Sequence, residues 1–130
     1  MLEGKRMKEN IIEKKSFEFA LKVIELYRNL ISQNEYVLSK QLLKSGTSIG
    51  ANVVESSAAQ TKKDFITKMS IASKEARETK YWLNLLSQSK LVKINLNDYL
   101  SDIDEIIKIL TSIVKSSQER KNETQKEFKR

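Results

Sequence analysis

Two glutamates three positions apart, Glu75 and Glu78, offer the most reactive spacing in this 130-residue chain. Carboxylates at i and i+3 lie on one face of a helix, the arrangement of an acid–base pair or of half a magnesium site. The groups such a site would recruit are missing. Histidine and cysteine are both absent, which removes the commonest general base, the commonest transition-metal ligand and any thiolate nucleophile. Bundle di-metal centres draw carboxylates from several helices together with Glu-x-x-His motifs. Glu75 and Glu78 therefore read as intersubunit hydrogen-bonding groups, and the chain reads as a non-enzyme without metal or cofactor. A helical-bundle ribonuclease that needs an Arg followed closely by His is excluded on the same ground.

Binding chemistry has more to draw on. Lys40, Lys44, Lys62, Lys63 and Lys68 gather around the second helix and the link after it. Convergent positive charge is what phosphate binding needs, although lysines also decorate ordinary soluble helices. Tyr81 and Trp82 could stack on bases, but Trp82 sits on a helix-spaced apolar stripe and reads more naturally as an interface anchor. Asn52, one turn before Glu55, suits a register-fixing amide at a seam. Arg28 falls among apolar residues on the stripe of the first helix read as its core face. Burial there would demand a carboxylate partner, for which Glu55, Glu75 and Glu78 are the candidates. A structural ion pair or a snorkelling side chain is preferred there over a recognition arginine.

Four amphipathic segments must position these residues. Proline is absent and glycine occurs three times, so a strand-rich fold with many tight turns is disfavoured. The first helix is expected over residues 16–31. Phe17, Ala20, Leu21, Ile24 and Ile31 form one stripe at three- and four-residue steps, and Phe19, Val23, Leu26 and Leu30 a second, nearly opposite. The second helix, 35–57, sets Leu38, Leu42, Ile49 and Val53 on its core face, with Leu43, Gly46, Gly50 and Val54 on a smaller one. Two glycines four residues apart point to close approach by another helix, or to a kink near Gly46. Thr61 and Asp64 open a third helix that runs to about Lys90. Its seam is Phe65, Met69, Ala72, Ala76, Thr79, Leu83 and Leu86, flanked by Ile71, Glu75, Glu78, Trp82 and Leu85. Asn95 is expected to cap the fourth helix, whose core positions are Tyr99, Ile103, Ile106, Leu110 and Ile113.

The fold expected is all-α, an antiparallel up-down-up-down four-helix bundle. Its parts are a charged N-terminal segment (1–15), the bundle (16–115) and a charged C-terminal tail (116–130). The doubled stripes leave more apolar surface than a monomer tolerates, which predicts a homo-oligomer. Phe65→Ala is thus expected to destabilise the subunit, and Trp82→Ala to dissociate the assembly. The net charge of +7 is concentrated at the ends: residues 1–16 hold five basic and three acidic groups, residues 115–130 six and three. No apolar run reaches the roughly 18 residues that span a bilayer, and the start lacks the apolar block of a secretion signal. A cytoplasmic protein without a membrane partner is expected.

The run from Gln41 to Glu55, QLLKSGTSIGANVVE, resembles the "QL-basic-x-A-x-SI-x-x-NI-x-E" stretch of bacterial four-helix-bundle proteins encoded in intervening sequences of 23S rRNA genes. The likeness continues through Lys63-Asp64-Phe65 and from Ile71 to Leu83, IASKEARETKYWL, matching "DF…IA-x-KEA-x-E-x-x-YWL". It covers roughly Phe17 to Ser116. The resemblance implies a left-handed bundle that assembles as a ring, typically a pentamer. A similar bundle is the accessory protein of diversity-generating retroelements, whose ring binds nucleic acid and a reverse transcriptase. Two departures lower the positive charge here. Ser56 and Ser57 follow Glu55 where many members have glycine and a basic residue, and Leu43 and Gly46 stand where arginine and alanine are common. The expectation is a homo-oligomer that binds RNA or DNA through backbone charge, with a protein-interaction scaffold as the alternative.

Overall fold

In the computed structural model the chain forms four helices, α1 (Leu2–Ser32), α2 (Leu38–Ser57), α3 (Lys62–Ser89) and α4 (Asn97–Lys129). The structure describes residues 2–129, with side chains at 4, 6–120 and 122–126. Each helix packs on its neighbours around a square, α1–α2–α3–α4, and the circuit closes most loosely between α4 and α1. Cross-helix contacts run in opposite senses along every side, which makes all four seams antiparallel. Gly46 meets Val23 while Gly50 meets Ser16, and Thr79 bonds Ser45 while Lys68 pairs with Glu55. Lys80 and Arg77 reach Asp104 and Thr111, and Lys22 and Lys15 reach Asp102 and Glu105.

The core is the line of side chains each helix turns to the middle of the square. The α3 seam is as expected: Met69, Ala72, Ala76, Thr79, Leu83 and Leu86 are buried, and Phe65 is half-buried against them. Ile103, Ile106, Leu110 and Ile113 of α4, and Leu42, Ile49 and Val53 of α2, face them. In α1 the two stripes are the reverse of expectation. Ile12, Phe19, Val23, Leu26 and Leu30 are buried, while Phe17, Leu21 and Ile24 are exposed. Both stripes carry the same periodicity, and only tertiary packing chooses between them.

Four local devices set the helix ends. Glu35 folds its carboxylate over the start of α2 and accepts from the amides of Val37, Leu38 and Ser39 at 3.2, 2.9 and 2.6 Å. The helix thus begins three residues after the boundary expected at Glu35. Thr61 caps α3, its hydroxyl accepting from the Asp64 amide at 3.1 Å. Lys90 ends α3 in the left-handed region, φ 58°. Asn95 accepts from the Asn97 amide at 3.0 Å and so turns the chain into α4.

Gly46 and Gly50 lie in an unbroken α2 and have the close approach expected of them. A Cβ on Gly46 would fall 2.9 Å from both γ-carbons of Val23, and one on Gly50 3.4 Å from the Ser16 carbonyl oxygen. These two positions bring the α1 and α2 backbones together. The first helix starts earlier than expected, and the last runs on as helix into the charged tail. α1 begins at Leu2, 14 residues earlier than Ser16, and Ile12 within that stretch is fully buried. α4 continues past Ser116 to Lys129, with Ser117 still buried. At that end of the bundle α4 outruns its neighbours, and residues 122–126 are exposed.

Candidate interaction surfaces

Two apolar faces flank the outer crest of α2. The first is the outward side of α1, where Phe17, Leu21 and Ile24 are 64%, 52% and 41% exposed. With Lys14 before them and Arg28 after, they keep alternating three- and four-residue steps, the rhythm of a helix-packing seam. Below Phe17 the small residues Ala20, Thr47, Gly50 and Ala51 leave an open groove of about 840 Å³, with Val54 on its far wall. The second face is on α3, turned toward α2. It holds Ile71 and Leu85, each 36% exposed, around Glu75, Glu78 and the half-buried Trp82.

Arg28 belongs to the first face and not to the core. Its side chain is 74% exposed and meets Glu25 of its own helix at 3.3 Å, not Glu55, Glu75 or Glu78. Burial, the condition for pairing with those three, is not met because the opposite α1 stripe faces the core. Glu55 pairs instead with Lys68 at 2.8 Å, across the α2–α3 seam.

Glu75 and Glu78 do share a face. Burial holds the Glu75 carboxyl above its ordinary value, and the charge of Glu78 and a hydrogen bond to it push the same way, partly offset by Lys44 and Lys74. Two acids on a partly desolvated surface attract a cation or a proton. Among the described residues no cluster of three or more metal-binding side chains forms.

Trp82 packs partly into the subunit core, with its ring edge-on to Tyr81 at 5.1 Å and 71°. Its Nε1 is enclosed without an acceptor among the described residues. Tyr81 is 57% exposed and is the freer aromatic of the two. Asn52 is half-buried and donates to the Ser48 carbonyl of its own helix at 2.9 Å, so within the subunit it crosses no seam.

The five lysines do not form one patch. Lys40 and Lys44 lie one turn apart in the first half of α2, whereas Lys62 and Lys63 open α3 at the other end. At 1.5 Å per residue, roughly 25 Å of α2 separates the pairs. Lys40, Lys44, Lys62 and Lys63 are exposed, and Lys68 is engaged by Glu55. Sequence reasoning did not single out the groove beside Phe17. Its signal was already present in the small residues that follow Gly46 on the outer side of α2.

No helix among the described residues is long and apolar enough to cross a membrane. No curated protein matches the chain. A solved structure does, that of a protein of unknown function from the S23 ribosomal protein family of Bacteroides thetaiotaomicron VPI-5482. The two are 47% identical and superpose with a TM-score of 0.80, over 83% of this chain and 98% of that one. The model of the 23S rRNA-intervening sequence protein family matches residues 8–112, from the first turns of α1 to near the last core residue of α4. With the motif-bearing α2 and α3 both inside that match, the chain belongs to the 23S rRNA-intervening sequence protein family.

Proposed function

We propose that the chain works as a non-enzymatic, cytoplasmic homo-oligomer, a pentameric ring, that holds nucleic acid through backbone charge. The observation that carries this reading is the exposed seam of Phe17, Leu21 and Ile24 on α1. A contiguous apolar face with a helix-packing rhythm is the mark of a surface that another protein covers. Charge supplies the rest. The net charge is +7, and Lys40, Lys44, Lys62 and Lys63 project from the surface. Ring symmetry would repeat each pair in every copy and turn modest patches into a cationic belt that releases counterions on binding phosphates.

A second reading, a protein-interaction scaffold without a nucleic-acid ligand, is favoured by the engagement of Lys68 with Glu55 and by the distance between the lysine pairs. Light-scattering mass, read with the 260/280 nm absorbance ratio of the purified protein across a salt series, separates the two. The binding scaffold is expected to run near five subunits and to lose nucleic acid steeply as salt rises. The same mass with no nucleic acid at any salt supports the adaptor, and a monomer overturns both.

A further inference from the structure

We propose that the assembly is held by a head-to-tail contact, in which the outer face of α1 in one copy seats on the outer face of α3 in the next, with Arg28 against Glu78. The inference rests on the homo-oligomer reading above and adds to it which surfaces meet. Both faces are apolar seams without a cover in the subunit, and their charges are complementary. Lys14 and Arg28 bracket the α1 stripe, whereas Glu75 and Glu78 are set within the α3 stripe. Among the described residues Arg28 holds an exposed same-helix pair with Glu25, a contact of the kind that costs little to exchange.

Register agrees with charge. Val23 meets Gly46 on α2, and the adjacent Ser45 accepts from Thr79, so Val23 and Thr79 lie at one level of the bundle. α1 and α3 run in the same direction, and copies related by a ring axis along the bundle stay level. Phe17 then falls within about one helical turn of Ile71, and Ile24 within one turn of Trp82. The Arg28 side chain, tilted toward the helix N-terminus as all helical side chains are, reaches back toward Glu78.

The angle between the faces agrees as well. They lie on the two sides of the square that share α2, roughly 90° apart in a four-helix bundle. Unlike faces at such an angle make a heterologous contact that closes into a ring of about four or five copies. A self-complementary contact of α1 with α1 would stop at a dimer and leave the α3 face bare.

Complementation tests this directly. One variant carries Leu21→Asp and Ile24→Asp, the other Ile71→Asp and Leu85→Asp. All four positions are on the surface, and circular dichroism checks that each variant folds. The proposal expects the wild type to be a ring, each variant alone to be monomeric, and the mixture to give a one-to-one heterodimer through its two intact faces. An α3-face variant that still assembles alone, or a mixture that stays monomeric, overturns it. A monomeric wild type overturns instead the homo-oligomer reading and assigns the faces to another protein.

Cysteine pairing supplies a readout that does not depend on those variants folding, because the chain has no cysteine of its own. Oxidising the double variant Phe17→Cys, Ile71→Cys, positions that the register places within one turn of each other, is expected to give a ladder of covalent multimers, and neither single variant a dimer. A covalent dimer from Phe17→Cys alone would show α1 on α1 and overturn the head-to-tail contact.

Discussion

Glu35 and Glu75 are carboxylates with opposite surroundings, and their titrations should pull stability in opposite directions. Partial burial works to raise the Glu35 value, but the amides of Leu38, Ser39 and Val37 and the Ser39 hydroxyl outweigh it and hold the group below the ordinary range. Its contribution is therefore present at neutral pH and lost as pH falls through that depressed value. Glu35→Gln is expected to cost about 1 kcal/mol at neutral pH, as loss of a helix cap does. Thermal melts in a pH series should show the gap closing in acid.

Glu75 lies the other way. Its raised value means that the folded state is most favoured when the group is protonated and loses that margin as pH rises through it. Glu75→Gln should raise the melting temperature of the isolated subunit at neutral pH and leave it unchanged in strong acid. At Trp82 the enclosed Nε1 without an acceptor costs roughly 1–3 kcal/mol. Trp82→Phe should be neutral or stabilising in denaturant titrations. Trp82→Ala opens the subunit core as well as any interface, so the division expected between Phe65 as core and Trp82 as interface is not a clean one.

Helices α1 and α2 are where packing overrides pattern. Gly46→Ala gains roughly 1 kcal/mol of helix propensity, but its methyl would lie 2.9 Å from Val23. Overpacking of that kind costs about 1–3 kcal/mol, so a net loss is expected, relieved when Val23→Ala is added. Gly50→Ala, at ordinary contact distance from Ser16, should be neutral or mildly stabilising. Chemical denaturation of the three variants reads both effects. The α3 seam was legible because its other stripe, from Ile71 to Leu85, is interrupted by Glu75 and Glu78. The inner face of α1 was not, because Phe17, Leu21 and Ile24 repeat as regularly as Phe19, Val23 and Leu26, and periodicity carries no direction. The placement of Arg28 went wrong with that choice. The early start of α1 was hidden because residues 2–15 are mostly charged and, among the described residues, offer Ile12 as the single fully buried apolar anchor. The close approach at Gly46 and Gly50 was readable, since a glycine pair in a helix interior has few other uses. The separation of the lysine pairs was not, since it depends on the antiparallel return of α3 along α2.

The molecule as a whole is uneven in two respects, around its circumference and along its length. Around it, apolar surface lies on both sides of α2, while the outer sides of α4 are bound up in the ion pairs of Lys15, Lys22 and Lys80. The side away from α2 is thus already satisfied, and assembly should tolerate charge reversal there. Asp104→Lys is expected to leave the light-scattering mass unchanged and to lower stability by no more than about 1 kcal/mol.

Along its length, α4 outlasts the square it belongs to. A helix without neighbours has little besides its own hydrogen bonds to hold it, so amide hydrogen exchange should fall into two regimes within one continuous helix. Amides from Ile103 to Ile113 should exchange only on global opening, and those at 122–126 orders of magnitude faster. The segment is then a built-in reporter. A polyanion or a protein that settles on the basic end of the bundle would slow exchange there while leaving the core amides where they were. The protected stretch would trace the ligand's footprint before the ligand has a name.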